Sequence, residues 1–163
     1  MIPRYWSGYS AKSYSKRNNM ERQIKFRGKQ INGEWAYGDL LRIGGGCIIY
    51  IGSKTETQTP DIPKESNVAV ELFDDDIAIV IPDTVGQFTG LTDCNGKEIY
   101  EGDILSFPND DSAGREVIMF EDGCFQVDDK WFKTALCRID IHERIIIGNI
   151  HDNPEQINQP IEV

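Results

Sequence analysis

The sequence has no Cys-x-x-Cys pair: its four cysteines, Cys47, Cys94, Cys124 and Cys137, stand at wide and irregular spacings. Structural zinc draws its ligands from two close pairs, so nothing here points to a zinc-organised fold. No secretory segment places the chain in an oxidising compartment, and the cysteines read as reduced thiols of a cytosolic protein in a bacterial host cell, with Cys47 and Cys124 packed as small apolar groups. Long hydrophobic runs are missing too. A bilayer span needs about 20 apolar residues, and the longest run, IAIVI at Ile77–Ile81, has the length of a strand. A membrane location is therefore not expected.

Catalytic signatures are equally scarce. There is no G-x-S-x-G, and Cys94 lies in an expected turn with no histidine near it in sequence, so no catalytic residue is assigned and the chain reads as a non-enzyme. In GGGCIIYIGSKT, Ser53 separates Gly52 from Lys54, and a polar, proline-bearing loop follows instead of a helix, which breaks the phosphate-cradle pattern. Only two histidines occur. On a strand Asp140 and His142 would share a face, and His151 and Asp152 follow, but nothing in the sequence gathers them, so neither a metal nor a cofactor is expected. DCNGKE lacks the alternating acids and the distant glutamate of a calcium loop.

Positive charge is in short supply as well. The 163 residues carry 17 Lys and Arg against 27 Asp and Glu, a net charge of −10. Four of the cations, Arg4, Lys12, Lys16 and Arg17, lie in the acid-free segment 1–19, leaving 13 cations against 27 acids in the rest. That segment is read as additional to the fold, with Met20 as the natural start; a basic arm for an acidic surface is the other reading. So acidic a body repels nucleic-acid phosphates unless its cations gather on one face.

What is present is strand patterning. Ile24 and Phe26 alternate with Lys25, Arg27 and Lys29, the period of a half-buried strand. Asn32-Gly33 is a hairpin signal, and Gln23–Ile43 reads as one β-hairpin. CIIYI, VAVEL and IAIVI follow, the last two separated by Asp74–Asp76, read as a solvated turn. A second Asn-Gly pair, Asn95-Gly96, and the segments DILSF, REVIMF, CFQVDD and RIIIGNI extend the β pattern. One short C-terminal helix is expected, capped by Asn153 with Pro154 in its first turn. The stretch VGQFTGLTDCNGKEIYEGDIL is rich in turn residues. Gly86 and Gly90 suit a sharp turn or close backbone approach, Asp93 suits bonding to the turn ahead of it, and Gly102 suits a positive φ beside Asp103. The stretch is read as a device for bending strands rather than for handling a substrate.

The segments IKFRGKQINGEWAYG, PDTVGQFTGLTDCNGKEIYEGDIL and IIGNIHDNPE together resemble the YopX family of phage and prophage proteins, over Met20 to about Ile157. The resemblance implies a mostly β protein with an SH3-like C-terminal part. It implies no established activity and supplies no catalytic residues.

The expectation is thus an all-β protein of two small packed β subdomains, residues 20–81 and 82–163, the second an SH3-like barrel with the C-terminal helix. The core is expected to include Ile24, Phe26, Trp35, Ile49, Val80, Val85, Leu91, Ile99, Ile104, Ile118, Phe125 and Ile147. The candidate binding residues are Lys25, Arg27 and Lys29, joined by Arg42, with Trp35 and Tyr37 for stacking. The bland reading is that these cations face water or the protein's own acids. The expected function is an accessory module binding a host or phage protein, with self-association. The alternatives are a nucleic-acid binder using this face and an enzyme with an unrecognised acidic site.

Overall fold

The structure, a computed structural model, describes residues 23–52, 76–108 and 114–158. The segment 1–19, the loop after Gly52 and the VAVEL segment lie outside the described residues. The described residues open with the hairpin their sequence encodes: β1 (Phe26–Lys29) pairs antiparallel with β2 (Trp35–Ile43). The turn closes through Gln30 N–H to Glu34 O (2.8 Å) and Gly33 N–H to Gln30 O (3.0 Å), while Asn32 Oδ1 accepts from Glu34 N–H.

β3 (Gly46–Tyr50), β4 (Ile77–Val80), β5 (Gly86–Thr92) and β6 (Glu98–Tyr100) complete a six-stranded sheet in the order β4-β3-β2-β1-β5-β6. β7 (Asp103–Ser106), β8 (Glu116–Glu121), β9 (Cys124–Asp128), β10 (Lys133–Ala135) and β11 (Ile145–Asn149) form a five-stranded sheet, β10-β9-β8-β7-β11. Both sheets are antiparallel, and the protein is mostly β. β5 and β6 follow residue 82 yet belong to the first sheet, so strands from both sides of that position share one sheet.

The described residues form two cores. Ala36, Cys47, Ile49, Ala78 and Val80, with Phe26, Leu40 and Val85, form one. Ile99, Leu105, Ile118, Val127, Leu136 and Ile141 form the other, joined by Leu91 and Ile146. Leu91 and Ile99 sit on β5 and β6, so strands of the first sheet supply side chains to the second core. Burying such aliphatic side chains stabilises the fold by about 1.5–3 kcal/mol each.

The central stretch bends the chain as its residues suggest. A Cβ at Gly86 would overlap the Glu101 carbonyl oxygen, so only glycine lets β5 lie this close to the turn after β6. Gly102, at φ 85°, redirects the chain from β6 into β7. Asp93 is buried, and its Oδ1 accepts from Asn95 N–H and Lys97 N–H (both 2.9 Å). Its Oδ2 also accepts from Ile146 N–H of β11 (3.1 Å), tying the turn to the second sheet.

Several expectations need correcting. Among the described residues no pairing joins β10 to β11, so the second sheet stays open and is not a closed barrel. The C-terminal helix is a 3-10 turn, Pro154–Asn158, and the Asn153 side chain accepts from Asn149 N–H (3.4 Å) on β11. Ile24 precedes β1 and is 57% exposed, because no strand covers it there. Cys47 is buried but Cys124 is exposed; it opens β9 beside the Asp122-Gly123 turn, beyond the core's reach. Of the Asp74–Asp76 run expected as a solvated turn, Asp74 and Asp75 lie outside the described residues, while Asp76 is buried, its carbonyl accepting from Ile51 N–H (2.8 Å).

Candidate functional site

Strand alternation puts Phe26 and Arg27 on opposite faces of β1. Phe26 packs on the first core, and Arg27 turns toward the second sheet, where it is buried. Its Nη1 pairs with Asp103 Oδ1 of β7 at 2.6 Å, with side chains 7% and 2% exposed. Its Nη2 donates to Glu101 O (3.1 Å). The guanidinium lies 4.8 Å from the Trp35 ring and 5.2 Å from Tyr100, within cation–π range of both. Tyr37 meets Tyr100 edge-on, with centroids 5.5 Å apart.

These residues line a cleft of about 570 Å³ between the two sheets. β1, β2 and β6 supply Arg27, Trp35, Tyr37, Glu98 and Tyr100, and the Asn95-Gly96 turn adds Lys97. β7, β11 and the residues after it supply Asp103, Asn149, Asp152 and Asn153, with Ile146 and Gly148. Gln87 and Thr89 do not line it; Thr89 Oγ1 donates to Ile99 O (2.9 Å).

Each carboxylate of the cleft is committed within the protein. Asp103 Oδ2 accepts from Tyr100 N–H (2.8 Å) while Oδ1 meets Arg27. Glu98 accepts from Lys25 through Oε1 and from the Tyr100 hydroxyl through Oε2 (2.8 Å). Asp152 accepts from Lys29, from the Trp35 indole N–H (2.8 Å) and from Asn149 Nδ2 (2.7 Å). The three cations of the expected basic face therefore meet three different acids.

The electrostatics follow from this packing. Burial pushes the Asp103 carboxyl above its usual range, and Arg27, pulling it down, does not fully offset that cost. Burial also raises the Tyr100 phenol, and its bond to Glu98 raises it further. Tyr37 is raised by burial against the pull of Arg27. Burial works to raise Glu98 as well, but the bonds from Lys25 and Tyr100 outweigh it and hold this carboxyl low. The bond from Lys29, with those from Asn149 and Trp35, lowers Asp152 to about 2. His151, its ring 6.0 Å from that of Trp35, is lowered by burial and by the Arg27 charge.

The structure thus brings Arg27, Trp35 and Tyr37 into one cleft, with Lys25 and Lys29 bonded to its carboxylates. Arg42 lies apart on the exposed end of β2. Sequence reasoning did not assemble Lys97, Glu98, Tyr100, Asp103, Asn149 and Asp152 as partners of this face. The available signal was the IYEGD segment, where an acid directly follows a turn glycine at the start of a strand. Asp140 accepts from His142 N–H (3.0 Å) as the cap of a short 3-10 turn, Ile141–Glu143. Among the described residues no cluster of three His, Cys, Asp or Glu side chains is placed to hold a metal. No helix among them is long and apolar enough to cross a membrane.

A second feature had escaped the sequence reading. In the turn between β9 and β10, Trp131 and Phe132 are 81% and 75% exposed. The turn is well made: Asp129 Oδ1 accepts from Trp131 N–H (2.9 Å) and Phe132 N–H (2.7 Å), and Asp128 Oδ1 from Lys130 N–H (2.8 Å). Lys130 adopts φ 75° to close it. The legible sign was the pair Asp128-Asp129 shortly before two adjacent aromatics, since Asp side chains readily bond the backbone of the turn ahead of them.

Two antiparallel sheets enclosing an aromatic, ion-paired cleft define a mostly β protein with a preformed cavity. The family described as YopX protein matches residues 25–158, and the chain belongs to that family. The crystal structure of protein EF1440 from Enterococcus faecalis shares the fold, with a TM-score of 0.51 and 23% identity over 83% of this chain and 98% of that one. The crystal structure of protein YopX from Bacillus subtilis matches with a TM-score of 0.44 and 18% identity, over 85% and 98% of the two chains. No curated protein matches.

Proposed function

We propose that this protein is a non-enzymatic accessory module of phage or prophage origin that binds a host or phage protein in the bacterial cytoplasm. The observation that carries the reading is the Trp131-Phe132 turn. Two large aromatic side chains stand in solvent on a turn held by three side-chain bonds to the backbone. Ordered, exposed aromatics are poorly solvated, and tryptophan is enriched among residues that dominate protein interfaces. The non-enzymatic part is supported by the cleft's chemistry. It has the concavity and the raised carboxyl that an acidic catalytic site would need. But Asp103 already accepts at both oxygens, and among the described residues no serine, threonine or cysteine lines the cleft. The nucleic-acid alternative loses support because Lys25, Arg27 and Lys29 each face a carboxylate.

The test is capture from bacterial lysate with the tagged chain and with a Trp131→Ala/Phe132→Ala variant, each with and without nuclease. One discrete protein held by the parent chain in nuclease and lost by the variant is the expected result. Equal capture by both chains, or capture that nuclease and added salt abolish, refutes the reading. Self-association belongs to the same proposal and is checked by sedimentation of the purified chain.

A further inference from the structure

We propose that the cleft between the two sheets binds a planar small molecule carrying one anionic group. Its volume of about 570 Å³ lies within the range of about 300–1,000 Å³ typical of small-ligand sites. Its hydrogen-bonding inventory selects the ligand's sign. Glu98, Asp103 and Asp152 accept at both oxygens, from Lys25 and Tyr100, from Arg27 and Tyr100, and from Lys29, Trp35 and Asn149. A cationic ligand would have to displace one of the protein's own cations. It would also compete with Arg27 for the faces of Trp35 and Tyr100, which the guanidinium already occupies.

What remains unused is on the donor side. Lys97 is exposed and makes no ion pair among the described residues, although its charge acts on Asp103 from a distance, so Lys25, Arg27, Lys29 and Lys97 set four cations against the three carboxylates. Arg27 Nε–H is buried without an acceptor, although the rest of its side chain is engaged. Tyr37, 49% exposed, presents both a ring and a hydroxyl. A ring stacked on Tyr37 with an anionic group near the Lys97 ammonium uses both of these side chains without breaking any existing bond. Stacking on an exposed aromatic strengthens the binding of a base-like ring by about five- to a hundredfold. A charged acceptor makes the stronger class of hydrogen bond to Lys97. An aromatic carboxylate and a nucleoside monophosphate both fit this description.

The test uses the full ¹⁵N-labelled chain, titrated separately with AMP, indole-3-acetate, benzamidine and inorganic phosphate. The Trp35 indole N–H and the Lys97 and Tyr100 amides are the reporters. Saturable shifts are expected with at least one of the two planar anions. AMP alone identifies the phosphate source, and indole-3-acetate alone identifies the carboxylate source. Lys97→Ala should weaken binding about fivefold or more at an unchanged melting temperature, and Lys97→Arg should keep it. The proposal is overturned if neither planar anion shifts the reporters, or if benzamidine binds as well as they do. It is equally overturned if phosphate alone gives the full response, or if Lys97→Ala binds with parent affinity.

Discussion

Replacing Arg27 with methionine keeps most of the side chain's volume but removes the cation that faces Asp103. Asp103 would then hold a carboxylate that is 2% exposed and whose remaining side-chain bond is the one from Tyr100 N–H. Such a group escapes by taking up a proton. Near pH 7, protonating a carboxyl whose ordinary pKa is 3.8 costs about 4 kcal/mol, because each pKa unit is worth about 1.4 kcal/mol. That sets the scale of the loss, in keeping with the roughly 3–5 kcal/mol found when one partner of a buried pair is removed. A chain of this size should melt roughly 10 °C lower. The pH dependence has a definite sign. Without Arg27, the folded-state pKa of Asp103 rises further above its unfolded value. The folded variant therefore binds a proton that the unfolded chain lacks, and its stability relative to the parent recovers as pH falls toward about 4. Urea unfolding of parent and Arg27→Met near pH 7 and near pH 4.5 measures both effects. Adding Asp103→Asn should restore part of the loss, since it removes the stranded charge and keeps an acceptor for Tyr100 N–H. A loss under about 1 kcal/mol near neutrality, or one that is the same at both pH values, refutes this account of the pair.

Gly86→Ala forces a Cβ into the Glu101 carbonyl and should cost about 1–3 kcal/mol or more in urea unfolding; a neutral result would mean that β5 can move away freely. Asp93→Ala removes bonds to three backbone N–H groups, at Asn95, Lys97 and Ile146, and should cost about 3 kcal/mol, with faster amide exchange at all three positions. The Asp152 carboxyl, lowered to about 2, contributes stability that is present above its unfolded pKa of 3.8 and is lost as pH falls toward 2. Carboxyl ¹³C titration should place its midpoint well below 3.8; a midpoint at or above that value would mean that the bonds from Lys29 and Trp35 do not form.

Much of the local structure was legible because its causes are local. The Asn32-Gly33 and Asn95-Gly96 turns, the alternation of Phe26 with Arg27, and the Asp93 bonds to its own turn all depend on residues within a few positions of one another. The C-terminal helix was legible in place but not in kind: it is a short 3-10 helix that begins at Pro154, with the Asn153 side chain turned to Asn149. Asn153 has two uses for its side chain, and Gly148 of the bulged β11 lies close enough for the second, a bond to Asn149 N–H, to prevail. Trp35 was expected in a core and instead walls the cleft, because a large ring with an N–H donor settles where Asp152 can accept from it.

By itself the sequence determined the β class, most strand positions, the family and the two faces of β1. A period-two pattern states which side chains share a face, but it does not state what covers that face. Tertiary structure alone decided that Arg27 faces the second sheet and meets Asp103, and that Lys25 meets Glu98 on β6 and Lys29 meets Asp152. Opposite charges far apart in the chain have no preferred partner until packing brings them within a few ångströms, where burial makes the choice of partner costly to change.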